Sequence, residues 1–139
     1  GTEEEFFALL DPDPVQIMRG KPVSRTQREA LPSLMTDLLG SDYGGCTLVI
    51  KRGERGVSIY RSKDDTIHKA GFKVSVLNTV GAGDAFASGL IYGYLQGWDW
   101  GRSCELGNAC GALTVTRHGC SAVFPGLQEA IDFIDSPGV

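Results

Sequence analysis

The arrangement in this chain best suited to chemistry is Gly81-Ala82-Gly83-Asp84, a carboxylate directly behind three residues with almost no side chain. An apolar, β-branched run ends at Asn78, and apolar residues return at helical spacing in Phe86, Leu90 and Tyr94. The spacing predicts strand, tight glycine turn, helix. The first N–H groups of such a helix have no partner within it, and they stand at the positive end of its dipole. Gly81, Ala82 and Gly83 leave those donors bare, so an anion, most naturally a phosphate, can sit on them. A carboxylate beside a phosphate repels it unless it has a chemical task, and the task open to Asp84 is that of general base. The plainer alternative is that the glycines only make the turn and Asp84 caps the helix, which Asp does well. Two familiar phosphate loops are excluded. No G-x-x-x-x-G-K-[ST] run is present, and Phe86 stands where a dinucleotide fingerprint needs its third glycine.

The elements that must position this turn fit in a modest chain. With 139 residues, 42% of them hydrophobic, one core of ordinary size is expected, as a single domain over residues 1–135 with a tail at 136–139. A net charge of −4 without a basic cluster argues against nucleic acid or an anionic membrane as partner, and for a small molecule. Apolar runs are too short to span a bilayer, and the start Gly1-Thr2-Glu3-Glu4-Glu5 is acidic where a secretory signal is basic. The expectation is a cytoplasmic protein. Cys46, Cys104, Cys110 and Cys120 show neither C-x-x-C spacing nor a paired histidine, so they are expected to be reduced and to pack rather than to bind zinc.

Residues 2–10 open on a hydroxyl and carry three glutamates in the first turn, the pattern of a short helix. So abrupt a start on a formed helix cap suggests a truncated chain. Asp11-Pro12-Asp13-Pro14 breaks the helix, and a loop is expected as far as Val23. Ser24 begins a second helix that ends at Gly40, with Leu31, Leu34, Met35, Leu38 and Leu39 on one face and Pro32 placed to bend it or delay its start. Residues 46–51 read as a buried parallel strand, and after the Arg52-Gly53-Glu54-Arg55-Gly56 turn residues 57–61 read as another. A strand over 67–70, with His68 exposed, precedes the alternating residues 72–77 that lead into the glycine turn. In the helix after Asp84, Gly89 and Gly93 each cost about 1 kcal/mol against alanine. Something must approach closely there, and the sheet is the expected neighbour. Asp99 caps the next helix, which is rich in small residues around the lone amide of Asn108, and residues 127–134 close the chain as an amphipathic helix. Strands alternating with helices place the chain in the α/β class.

Residues 78–91 resemble the C-terminal signature of the PfkB, or ribokinase-like, carbohydrate kinases, and weaker similarity extends over residues 1–134. The resemblance implies the C-terminal, nucleotide-binding portion of a three-layer α/β/α ribokinase-like fold. It makes Gly81, Ala82 and Gly83 an anion hole for the transferred phosphoryl group and Asp84 the base that takes the sugar hydroxyl proton. Members carry an Asn-x-x-Glu element whose glutamate helps hold the water shell of magnesium. Glu4 matches that glutamate and Gly1 replaces the asparagine, while a helix-start charge explains Glu4 equally well. A Thr-x-Gly-x-x-Gly turn passes the nucleotide phosphates in the family; here Lys51 stands for the threonine and Gly53 matches the first glycine. Asn108 matches an asparagine at the adenine pocket, although a satisfied buried amide would look the same. Many members also hold a monovalent cation with carbonyls of the loop matching residues 117–121, and the aspartate frequent at the first signature position is here Asn78.

The resemblance thus implies phosphoryl transfer from ATP, with Mg2+, to a sugar or sugar-acid hydroxyl. Within the family, Gly-Thr-Glu-Glu-Glu-Phe, Lys-Arg-Gly-Glu-Arg-Gly, Val-Leu-Asn-Thr-Val-Gly-Ala-Gly-Asp and Thr-Arg-His-Gly-Cys most resemble the members that act on 5-dehydro-2-deoxygluconate, and the resemblance implies that acceptor. Fructose or 2-keto-3-deoxygluconate is the alternative within the family, and a nucleotide-binding module without catalysis the alternative outside it. Members are about twice this length, in the range of one large α/β domain. The isolated chain is therefore expected to be inactive and, through an open strand edge, prone to form homodimers.

Overall fold

The computed structural model describes residues 1–119 and 121–136; Cys120, Pro137, Gly138 and Val139, and with them most of the expected tail, lie outside the described residues. The chain divides into two compact units, Gly1–Gly53 with Ser58–Ile67, and Glu54–Val57 with His68–Val139.

The first unit holds helices α1 (Glu3–Leu10), α2 (Pro14–Met18) and α3 (Arg25–Leu39) and strand β1 (Leu48–Lys51). Strands β2 (Val57–Tyr60) and β3 (Thr66–Lys69) carry the unit boundaries, and the sheet order is β1-β2-β3. Helix α1 starts where its hydroxyl requires. Thr2 Oγ1 accepts from the Glu5 N–H at 3.2 Å while Glu5 Oε2 accepts from the Thr2 N–H at 2.6 Å, a reciprocal cap that satisfies two otherwise orphaned donors. Ser24 and Gln27 repeat the device at the start of α3. That helix continues through Pro32, so the proline does not delay its start. The expected loop after Asp11 is interrupted by α2, because Pro14 sits at its first position, where a fixed φ and a missing N–H favour a helix start. Phe7, Ile17, Leu31, Met35, Tyr43, Leu48 and Ile50 form the core. The face of α3 is narrower than its leucines suggest: Leu31 and Met35 are buried, but Leu34, Leu38 and Leu39 are exposed. Strand β1 begins at Leu48 rather than at Cys46, because a tight turn over Ser41–Gly45 comes first, with Asp42 and Tyr43 at positive φ.

The second unit is built on α4 (Ala82–Leu95), α5 (Trp100–Val115) and α6 (Leu127–Asp135). Asp99 caps α5 as expected, accepting from the Arg102 N–H at 2.9 Å. Ala85, Leu106, Ala109, Cys110 and Ala130 form the core, with Phe72 against Phe133 at a ring separation of 4.9 Å. Two expectations fail here. Residues 72–77 are not a strand. Their alternation supplies a sheet-like surface, but a strand also needs a ladder partner, and among the described residues the backbone of this stretch meets only Val115 O, through the Leu77 N–H at 2.8 Å. The neighbour of the α4 glycines is not the sheet but α5. A Cβ on Gly89 would lie 2.9 Å from Leu106 O and 3.0 Å from Gly107 Cα, and one on Gly93 would lie 2.7 Å from Ser103 Oγ. Small residues on both helices let the backbones touch. Among the described residues no helix is long and apolar enough to cross a membrane.

Candidate active site

At the start of α4 the residue in the capping position is Gly81, in a left-handed conformation at φ 83° that favours glycine, and no side chain caps the helix. Asp84 therefore stands in the first turn without capping it. It is exposed, and among the described residues its carboxylate has neither hydrogen bond nor ion pair; only its carbonyl is used, accepting from Ser88 Oγ at 2.9 Å. The turn uses few of its donors. Ala82 N–H reaches Thr79 O at 3.3 Å, and Ala85 N–H reaches Gly81 O at 2.9 Å, whereas the N–H groups of Gly81, Gly83 and Asp84 meet no acceptor among the described residues. Three donors at the positive end of a helix dipole thus sit beside an unengaged carboxylate. An anion can dock there and a proton can be taken alongside it.

Asn78 holds this turn from behind. Its Oδ1 accepts from the Val80 N–H at 3.1 Å and its Nδ2 donates to Gly119 O at 2.8 Å, which fixes the orientation of the amide. Val115 O accepts from both Leu77 and Asn78, so the end of α5 is tied to the approach of the turn. Gly111 of α5 lies alongside, where a Cβ would come within 3.3 Å of Ala82 O. Asn108, one turn earlier, donates to Ala70 O at 2.8 Å, which anchors α5 to the segment after β3. Its amide protons are thereby spent on backbone, and its Oδ1 remains as an acceptor.

In the first unit Lys51 and the start of α1 are neighbours. Thr2 and Lys51 form a parallel bridge, with Lys51 N–H donating to Gly1 O at 2.9 Å. Glu4 is exposed in the first turn of α1, and Gly53 adopts φ 58° in open space. Among the described residues no three His, Cys, Asp or Glu side chains gather to hold a metal directly. A single exposed carboxylate suits a Mg2+ that keeps its waters and takes its other ligands from phosphates.

Sequence reasoning missed one cluster. Glu3, beside the candidate Glu4, is 1% exposed, and its Oε1 accepts from Arg52 Nε at 2.7 Å. Arg52 also donates to Ser58 Oγ at 2.5 Å and Tyr60 OH at 3.3 Å, while Arg28 lies 3.5 Å from the other Glu3 oxygen. Burial works against the Arg52 charge, but the bonds to Glu3 and Tyr60 outweigh it and raise its pKa above the ordinary arginine value. Periodicity held the signal: Glu3 and Phe7 lie one turn apart on the buried side of α1, and Arg52 continues the inward row of Leu48 and Ile50.

Cys104 and Cys110 are buried free thiols and Cys46 is exposed, while Cys120 lies outside the described residues. Burial pushes the Cys104 thiol up to about 12, against a smaller opposing pull from Lys69.

Known proteins share this framework. The 5-dehydro-2-deoxygluconokinase of Clostridium perfringens is 39% identical over 93 residues, which cover 67% of this chain and 28% of that protein. That of Geobacillus thermodenitrificans is 34% identical over the same share of each chain. The chain thus spans little more than a quarter of the curated relatives it matches. Ribokinase from Thermotoga maritima superposes with a TM-score of 0.73 at 24% identity, covering 97% of this chain and 41% of the ribokinase. A ribokinase II candidate of Escherichia coli, solved with ATP and Mg2+, superposes at 0.71 with 30% identity, over 96% of this chain and 37% of that one. The fold is accordingly part of the α/β ribokinase-like fold. The family model described as pfkB family carbohydrate kinase matches residues 35–126, which include β1, the glycine turn, α4 and α5, and this chain belongs to that family.

Proposed function

We propose that this chain is the nucleotide-binding portion of an ATP-dependent sugar kinase whose acceptor is 5-dehydro-2-deoxygluconate. The observation that carries the reading is the α4 start: three N–H groups without acceptors among the described residues, beside a carboxylate that does not cap the helix. A pure anion binder is better served by a neutral residue at position 84, so the carboxylate favours transfer over mere binding. Asp84 takes the proton from the sugar hydroxyl as its oxygen forms the new bond to phosphorus and the bond from phosphorus to ADP breaks. The N–H groups of the Gly81-Ala82-Gly83 turn, with that of Asp84, meet the charge on the moving phosphoryl group; Ala82 contributes least while its N–H is turned to Thr79. Lys51 and Gly53 receive nucleotide phosphates, and Asn108 Oδ1 accepts from the base. Glu4 would hold Mg2+ through water, and the ion would supply neutralisation of phosphate charge. At the loop after α5 the Asn78 amide aims a donor at Gly119 O and its oxygen is already taken by Val80, so among the described residues this pairing does not suit a monovalent cation. Val76, Leu77, Val80, Ile91 and Leu95 are exposed, and so much apolar area left in water supports self-association of the isolated chain.

The acceptor is tested with the full-length protein carrying this chain, by sugar-dependent ADP release over a panel of 5-dehydro-2-deoxygluconate, fructose, 2-keto-3-deoxygluconate and ribose. Turnover in the range of about 1–100 per second with the first compound alone is expected. A faster reaction with another sugar would reassign the acceptor, and release with none would leave a nucleotide-binding module.

A further inference from the structure

The buried Glu3–Arg52 pair is not accounted for by stability. Taking both charges out of water costs about as much as their attraction returns, and apolar residues of similar volume commonly serve a core as well or better. What the pair adds is direction. The Arg52 guanidinium is a rigid planar fork, and its three nitrogens are assigned separately: Nε to Glu3 on α1, and the two terminal nitrogens to Ser58 and Tyr60 on β2. Its two neighbours in the chain carry the nucleotide role proposed above. Lys51 precedes it at the end of β1, and Gly53 follows with no atom within 4 Å of where its Cβ would be. Gly53 is exposed and opens the short turn Gly53–Arg55, so Arg52 is the residue that joins that turn to β1. Glu3 in turn precedes Glu4 in the first turn of α1, where side chains are oriented by the helix start.

We infer that Arg52 is a positioning residue for the magnesium nucleotide: bonded to Glu3, Ser58 and Tyr60, it holds Lys51 and Gly53 in fixed register with the helix turn that carries Glu4. It touches neither nucleotide nor metal. The inference rests on the nucleotide role proposed above for these three residues.

The test uses the full-length protein carrying this chain, with MgADP affinity measured by calorimetry and thermal stability measured in parallel. Arg52→Met alone takes the 2.7 Å partner from a buried Glu3 and is expected to lose stability; the variant that tests the inference is Glu3→Gln combined with Arg52→Met, which removes both charges at similar volume. That double variant is expected to melt near the wild type yet bind MgADP at least about tenfold more weakly. Arg52→Lys keeps the charge opposite Glu3 but loses the fork, and is expected to fold and show a weakened affinity as well. Wild-type affinity in whichever of these two variants folds would reduce the pair to a structural contact and overturn the inference. A full-length wild type that takes up no MgADP would overturn the inference too, and only that outcome would also remove the nucleotide role of Lys51, Gly53 and Glu4.

Discussion

Replacing Gly89 by alanine sets two magnitudes against each other. In an isolated helix the change gains about 1 kcal/mol, because glycine loses more backbone freedom on folding. At this crossing the new methyl would meet Leu106 O at 2.9 Å, Cys110 Sγ at 3.0 Å and Gly107 Cα at 3.0 Å. Two of those atoms are backbone and cannot swing aside, so the helices must separate. Overpacking of this kind costs roughly 1–3 kcal/mol, and rigid neighbours place Gly89 at the upper end, for a net loss of about 1–2 kcal/mol. In a chain of this size that lowers the melting temperature by roughly 3–8 °C. Gly111→Ala is the control. Its nearest neighbours would be Ala82 O at 3.3 Å and Phe86 Cβ at 3.7 Å, so the propensity gain and a mild contact should nearly cancel. Urea unfolding of both variants, compared by midpoint at unchanged slope, reads the difference. Gly89→Ala as stable as the wild type, or Gly111→Ala falling equally far, would refute backbone contact as the reason for glycine in α4.

Other outcomes follow from single contacts. Thr2→Ala and Ser24→Ala should each cost about 1 kcal/mol, seen as a lower urea midpoint, because each removes a reciprocal helix cap. Iodoacetamide with peptide mapping should modify Cys46 in the native chain and reach Cys104 and Cys110 only on unfolding. The Cys104 thiol, held at about 12 against an ordinary 9.0, makes stability fall in alkali: below pH 9 both states keep the proton, and as pH rises from 9 toward 12 the unfolded chain releases it first. Cys104→Ala should flatten that part of a stability-against-pH curve. Sedimentation of the isolated chain should show concentration-dependent dimers, weakened by Leu77→Lys and Leu95→Lys, which charge the exposed apolar surface.

Local chemistry made much of this molecule readable from its residues. Thr2, Ser24 and Asp99 announce helix starts because each satisfies its own backbone donors within three residues, without help from the rest of the chain. The glycine turn was equally legible, although it is Gly81 alone that needs a positive φ, while Gly83 does not. Features set by distant partners were harder to see. Residues 72–77 carry the alternation of a strand but no ladder, and alternation cannot report a partner. Gly89 and Gly93 signalled a close neighbour without saying that it was α5. Arg52 lies in a charged Lys-Arg-Gly-Glu-Arg turn and looks like surface until the inward row of β1 is extended by one more step.

The central claim is that Asp84 takes the hydroxyl proton beside an anion-binding turn. Asp84→Asn in the full-length protein tests it most directly, with turnover and MgATP affinity measured on the same preparation. Turnover should fall by at least about 10²-fold, while nucleotide affinity holds or rises because a negative charge facing phosphate has gone. Turnover within a few fold of the wild type would contradict the claim and leave Asp84 as no more than an exposed carboxylate in the first turn of α4.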